Sequence, residues 1–196
     1  MDRLMKEFKD LNSHSLEIGV FGSDDSFMAM IANVHEFGLT IRPKGKFLTI
    51  PTREAGDRKP RDIPDLFKPK GVMALAVEDK RKRGKSEEGF IVMFWLVKKV
   101  NIPERSFVRS TFDENQTDRE EFFLKRLDKI IAGEMTAENL YQQLGARIAS
   151  DIQEKMTSLK TPGKSKVTLQ RDPNKTNPLI NTGRLRQSVT WKVVKD

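Results

Sequence analysis

Leu140, Leu144, Ile148, Ile152 and Met156 recur every four residues, with Tyr141 and Ala149 beside them. That spacing lays one apolar stripe along one side of an α-helix. Thr136, just before the stripe, is of the kind that accepts from the free N–H groups of a first helical turn. The pattern predicts a helix over 137–159, roughly 23 residues and ~35 Å long. A rod of that length with one apolar side has to lie on something apolar. A second helix is expected over 118–132, where Thr117-Asp118-Arg119-Glu120 fits a capping box, Phe122, Phe123, Leu127, Ile130 and Ile131 form a buried face, and Gly133 ends the run.

The rest of the chain reads mainly as strands that could cover such helices. Leu16, Ile18 and Val20 alternate with Glu17 and Gly19, and Val189, Trp191 and Val193 alternate with Thr190 and Lys192. Residues 47–50 read as a strand ending at Pro51, residues 72–77 as a covered strand, and residues 90–97 as a central strand with large side chains on both faces. The last two make a hairpin with a charged tip at about 79–89. A short amphipathic helix is expected over 2–11. Another starts near Ser23-Asp24-Asp25-Ser26, with Phe27, Ile31 and Val34 on its buried face and Gly38 at its end. Residues 52–71 hold Gly56 and three prolines and read as an excursion pinned by Leu66-Phe67. Residues 161–177 read as a long loop without period. The expected fold is a single α+β domain, 1–196: a twisted, mostly antiparallel sheet of four to six strands with the two long helices packed on one face, plus extended loops.

Charge and chemistry narrow the function. The chain is 33% charged and 37% hydrophobic, and 36 Lys and Arg against 28 Asp and Glu leave it at +8. Cysteine is absent, which excludes disulfides and thiolate metal sites. No apolar run is long enough for a membrane span, and residues 1–6 lack the apolar core of a signal peptide. The two histidines, His14 and His35, sit in no ligand pair. Glu36 follows His35, but consecutive helical residues point about 100° apart, so one shared acid–base site is not expected. Phosphate-binding loops, nucleophile elbows, zinc-protease and EF-hand patterns are all missing. Asp24-Asp25 and Glu87-Glu88 read as solvated turn charges. No catalytic residue, metal or cofactor is expected, and the protein is read as a non-enzyme.

Three short stretches carry a resemblance. Asn177-Pro178-Leu179-Ile180-Asn181-Thr182-Gly183-Arg184-Leu185-Arg186-Gln187-Ser188-Val189-Thr190-Trp191 resembles the closing motif of the tailed-bacteriophage tail-completion or head–tail joining proteins, also described as minor tail or virion morphogenesis proteins. Ile102-Pro103-Glu104-Arg105-Ser106-Phe107-Val108-Arg109 and Ala32-Asn33-Val34-His35-Glu36-Phe37-Gly38 resemble two further segments of that family, in the family's order. The insert at 52–90 departs from its shorter members. The resemblance implies a virion structural protein assembled in the host cytoplasm. It would complete the tail or join it to the head as a homo-oligomeric, hexameric ring in the neck or connector region. Its implied neighbours are tail-tube, terminator or head-connector proteins, with non-specific contact to genomic DNA and no membrane. A tail terminator or another neck-layer protein follows the same ring logic. A non-specific DNA-binding protein and a hydrolase with a dispersed site are rivals from other classes.

The expected contact residues fall in two groups. Arg105, Phe107 and Arg109 alternate on one side of an extended segment, and with Thr182, Gly183, Arg184, Leu185 and Arg186 they are candidates for a subunit interface. The plainer reading has Phe107 closing the core and the arginines solvated. From residue 155 onward ten Lys and Arg face only Asp172 and Asp196. Lys164, Lys166, Arg171 and Lys175 there, and Lys80, Arg81, Lys82, Arg83 and Lys85 on the hairpin tip, are candidates to face DNA or an acidic partner. No aromatic residues are interleaved with the tip, so base stacking is not expected.

Overall fold

The computed structural model of the protein describes residues 2–79 and 89–196. The class is α+β, with every strand pair antiparallel. Among the described residues the expected single sheet is instead three small ones, of two, two and three strands. The chain also divides into two compact units: Met1–Gly38, Glu104–Pro162 and Asn177–Asp196 in the first, Leu39–Pro103 and Gly163–Thr176 in the second.

The first unit is built on the long helix. α1 (Asp2–Asn12) leads into β1 (His14–Gly19), α2 (Ser26–Phe37), α3 (Arg109–Glu114), α4 (Gln116–Ala132), α5 (Ala137–Ser158), α7 (Arg184–Gln187) and β7 (Thr190–Lys195), the second unit contributing the elements between. β7 pairs with β1 along their whole length, from His14 opposite Lys195 to Gly19 opposite Thr190. α5 lies on this ribbon and α4 packs beside α5. Leu140, Ile148, Ile152 and Met156 of the stripe are buried. The core gathers Ile148, Ala149, Ile152 and Met156 with Met28, Phe107, Leu179, Leu185 and Val189. Thr136 caps α5 as expected, accepting from the Asn139 N–H at 3.2 Å. α1 braces the α4–α5 corner by charge at both helix ends. Arg3 donates to the Gly133 and Ile130 carbonyls closing α4, and the buried Glu7 carboxylate accepts from the Ala137 N–H opening α5, at 2.7 Å.

Two helical expectations fail for physical reasons. Thr117 caps nothing: α3 runs into α4 through Asn115 alone, and the Arg119 N–H already donates to the Asn115 carbonyl at 3.1 Å. With no free helix start there is nothing for a capping box to satisfy. On α4 only Ile130 is buried, while Ile131 is 52% exposed. On α2 the buried residues are Met28 and Glu36, with Ile31 and Ala32 packed on the core, and Phe27 faces out.

The second unit holds β2 (Leu39–Ile41) paired with β6 (Val100–Ile102), and a sheet of β3 (Leu48–Pro51), β4 (Ala74–Glu78) and β5 (Phe90–Val97) in the order β3-β5-β4. The expected central strand is β5. Its Met93 and Phe94 are buried with Ala55 and Ile63 of the excursion. Leu66 packs on that core and Phe67 bridges to Ala76, which pins the excursion as expected. The loop after Pro162 is not without structure: Ser165 caps α6 (Lys166–Arg171), accepting from the Thr168 N–H. Six residues are too few to show a period.

Candidate functional site

Glu36 is the residue around which the first unit is tied. It sits at the end of α2, 5% exposed. Its carboxylate accepts from the backbone N–H groups of Phe107, Val108 and Arg109 at 2.8, 3.0 and 3.0 Å. It also accepts from the Ser106 hydroxyl at 2.7 Å and the Arg109 Nε at 3.0 Å. These three N–H groups lead into α3, whose N-cap is Val108, and have no partner within the helix. A negative charge set against them also meets the positive end of the helix dipole. Burial alone would raise the Glu36 pKa, but the donors from Val108, Ser106, Arg109 and Phe107 outweigh it and hold the carboxyl below its ordinary range.

The neighbours complete the knot. The Arg105 N–H donates to the His35 carbonyl at 2.7 Å, its Nε donates to the Pro162 carbonyl at 2.7 Å, and its Nη1 lies 3.2 Å from His35 Nδ1. Arg109 donates to the Glu36 carbonyl and to Glu104, and its guanidinium stands 4.6 Å from the centre of the Phe37 ring. His35 and Glu36 therefore serve different partners, as their angular separation requires. Five donors fill the Glu36 oxygens, so the carboxylate has no lone pair set aside for a substrate proton.

The closing stretch reaches the same core. Asn177 Oδ1 accepts from the Leu179 and Ile180 N–H groups, both at 2.8 Å, and its Nδ2 donates to the Met156 and Thr157 carbonyls at the end of α5. Gly183 takes φ 84° and ψ −8°, a left-handed turn that starts α7. Leu179, Leu185 and Val189 drop into the core with Phe107. Arg184 ties this segment to α2 by donating to Asp25 at 2.6 Å, while Asp25 caps α2 through the Met28 N–H. Asp24 is paired with Lys192. The two aspartates read as solvated turn charges are thus a helix cap and an ion-pair partner, and both pKa values are lowered, Asp24 chiefly by Lys192 and Asp25 chiefly by the Met28 N–H.

The expected contact residues divide accordingly. Phe107 is fully buried and Arg105 is 6% exposed, so neither presents a surface to a partner. Residues 104–108 are not a strand, and Arg109 already begins α3, so the expected alternation does not apply. Leu185 is buried, Arg186 and Gly183 are half-buried, and Thr182 and Arg184 are exposed. In the second unit Arg171 pairs with Asp57 at 2.6 Å and Lys164 donates to the Lys175 carbonyl at 2.7 Å, while Lys166 and Lys175 are exposed. Lys80, Arg81, Lys82, Arg83 and Lys85 lie outside the described residues. No group of three or more His, Asp or Glu among the described residues is placed to hold a metal ion.

Sequence reasoning passed over two features. One is Glu36 itself, whose signal was a carboxylate on the apolar side of α2. The other is an outward apolar row on α2: Phe27, Met30 and Phe37 are 55, 52 and 58% exposed and share one side of the helix. Comparison with protein-family models, curated proteins and solved structures finds no match to this chain.

Proposed function

We propose that this protein is a structural component of a tailed-bacteriophage virion, completing the tail or joining it to the head as an oligomeric ring of its own copies. The observation that carries the reading is the meeting of the three stretches that resemble that family. They are separated by more than sixty residues each, yet His35 and Glu36, the 104–109 segment and the 177–191 segment share hydrogen bonds or one core in the first unit. The chemistry of the knot supports assembly over turnover, because its carboxylate is saturated by donors that fix the backbone. The row Phe27, Met30 and Phe37 supplies the apolar surface that contact between copies needs.

The mass of the purified protein tests this. A closed ring, seen as a single high-mass species by native mass spectrometry and as an annulus by negative-stain microscopy, is expected, together with binding to purified phage tails or capsids. Phe27→Glu with Met30→Glu should shift the ring to monomer without loss of helical signal. A wild-type protein that stays monomeric and binds neither tails nor capsids overturns the reading.

A further inference from the structure

β1 has one neighbour, β7, and its other edge has no strand partner among the described residues. The Asp196 N–H donates to the Ser13 carbonyl at 3.0 Å, in the same register as the ladder. Bonded pairs alternate in an antiparallel ladder, so Ser15, Glu17 and Gly19 turn their backbone groups toward β7. Leu16 and Ile18 then turn theirs toward the open edge. The Tyr141 hydroxyl lies 2.8 Å from the His14 carbonyl and closes that end of the edge.

Beside the same edge runs a groove of about 540 Å³. Leu16 and Ile18 line it together with Phe112, Phe123, Leu124 and Leu144. Leu124 is 58% and Phe112 46% exposed, so the lining is apolar and open to solvent. Glu120 is the one carboxylate among the residues that line the groove, and it stands next to Arg119. Residues 113–121 hold five acids and the cation Arg119; Glu114 is paired with Lys155 and Glu121 with Lys125, which leaves Asp113, Asp118 and Glu120. The Arg119 guanidinium is already occupied, 4.0 Å above the Phe112 ring and bonded to the Thr111 and Phe112 carbonyls.

We propose that the β1 edge and this groove form a docking site for an extended peptide strand of a partner protein, apolar at alternate positions and basic where it meets the start of α4. The outward N–H and C=O groups of Leu16 and Ile18 match the backbone of an added strand, which a helix does not offer. Alternate side chains of an added strand fall on the groove side of the sheet. Glu120, at the groove, favours a cationic residue in the strand that docks there. The site stands on this unit alone and is independent of the virion reading.

The test uses the full-length protein and a fluorescein-labelled peptide of alternating valine and threonine with lysine at both ends. Two versions of that peptide are N-methylated on alternate residues, each losing the N–H groups of one edge. Anisotropy should show saturable binding of the parent, with one methylated version at least tenfold weaker and the other unchanged. Leu124→Arg, at an exposed position, should weaken the parent at least tenfold while circular dichroism stays that of the wild type. Equal binding of all three peptides overturns the proposal, because the groove would then read side chains only. So does absence of parent binding at millimolar peptide. Self-association abolished by Leu124→Arg, with no peptide bound, would give the groove to a second copy and overturn it as well.

Discussion

Glu36 replaces, at one point, what a capping side chain, an ion pair and several hydrogen bonds usually do separately. Glu36→Gln keeps the shape but replaces one acceptor oxygen by an NH2 group, which faces either the Phe107 and Val108 N–H groups or the Arg109 and Ser106 donors and leaves that set without an acceptor. A loss of about 3 kcal/mol is expected, read as a fall in Tm of roughly 10 °C. The pH dependence follows from the lowered pKa. The unfolded carboxyl titrates near about 4.3. Above that value the stabilisation is fully present, and it is lost as pH falls through the lower folded value. Wild-type stability should therefore decline from about pH 5 downward more steeply than that of Glu36→Gln, as measured by urea midpoints across the acid range. A slope identical in the two proteins would contradict the assignment of the ionised carboxylate as the clasp.

At the scale of elements, the long helix and the ribbon beneath it meet at a glycine. A Cβ at Gly145 would fall inside the contact distance of the Trp191 ring atoms Cγ and Cδ1, and the indole N–H is held by Gln142 at 2.9 Å. Gly145→Ala would gain up to about 1 kcal/mol of helix propensity but overpack a bulky ring near its fixed end, which costs ~1–3 kcal/mol. Net destabilisation and a shifted Trp191 emission in a Trp95→Phe background are expected. A more stable protein with unchanged emission would show that the ring moves aside freely. The helix stripe and the β7 alternation were legible because each has enough residues to display a period, and the central β5 because large side chains on both of its faces need cover on both. The α3–α4 junction was misread because whether a helix start is free depends on what precedes it in space, and a Thr-x-x-Glu pattern cannot report that. Glu36 stayed hidden for a related reason: its partners lie seventy residues away, and the only local trace was a charge on an apolar helix side. Phe107, readable as an interface anchor or as a residue that closes the core, needed its surroundings to decide, and it is fully buried.

On the scale of the whole molecule, the two units have separate cores of unequal size. The core of the first joins Met28, Phe107, Ile148, Ile152, Met156, Leu179 and Leu185 with others, whereas the core cluster of the second is Ala55, Ile63, Met93 and Phe94, with the small Ala74 and Ala76 also buried. Small units bury a smaller fraction of their surface and are correspondingly marginal. The chain carries one tryptophan in each, Trp191 in β7 and Trp95 in β5. Single-tryptophan proteins made by Trp95→Phe and Trp191→Phe therefore report each unit alone. In urea, the Trp95 signal should change at lower denaturant than the Trp191 signal, because a core cluster of four side chains offsets less chain entropy than the larger core does. Adding Glu36→Gln should move the Trp191 midpoint down by about 1–2 M, as a loss near 3 kcal/mol divided by a typical urea slope requires, and leave the Trp95 midpoint in place. Coincident transitions that shift together would mean that the units unfold as one cooperative body, and the Glu36 clasp would then secure the entire chain.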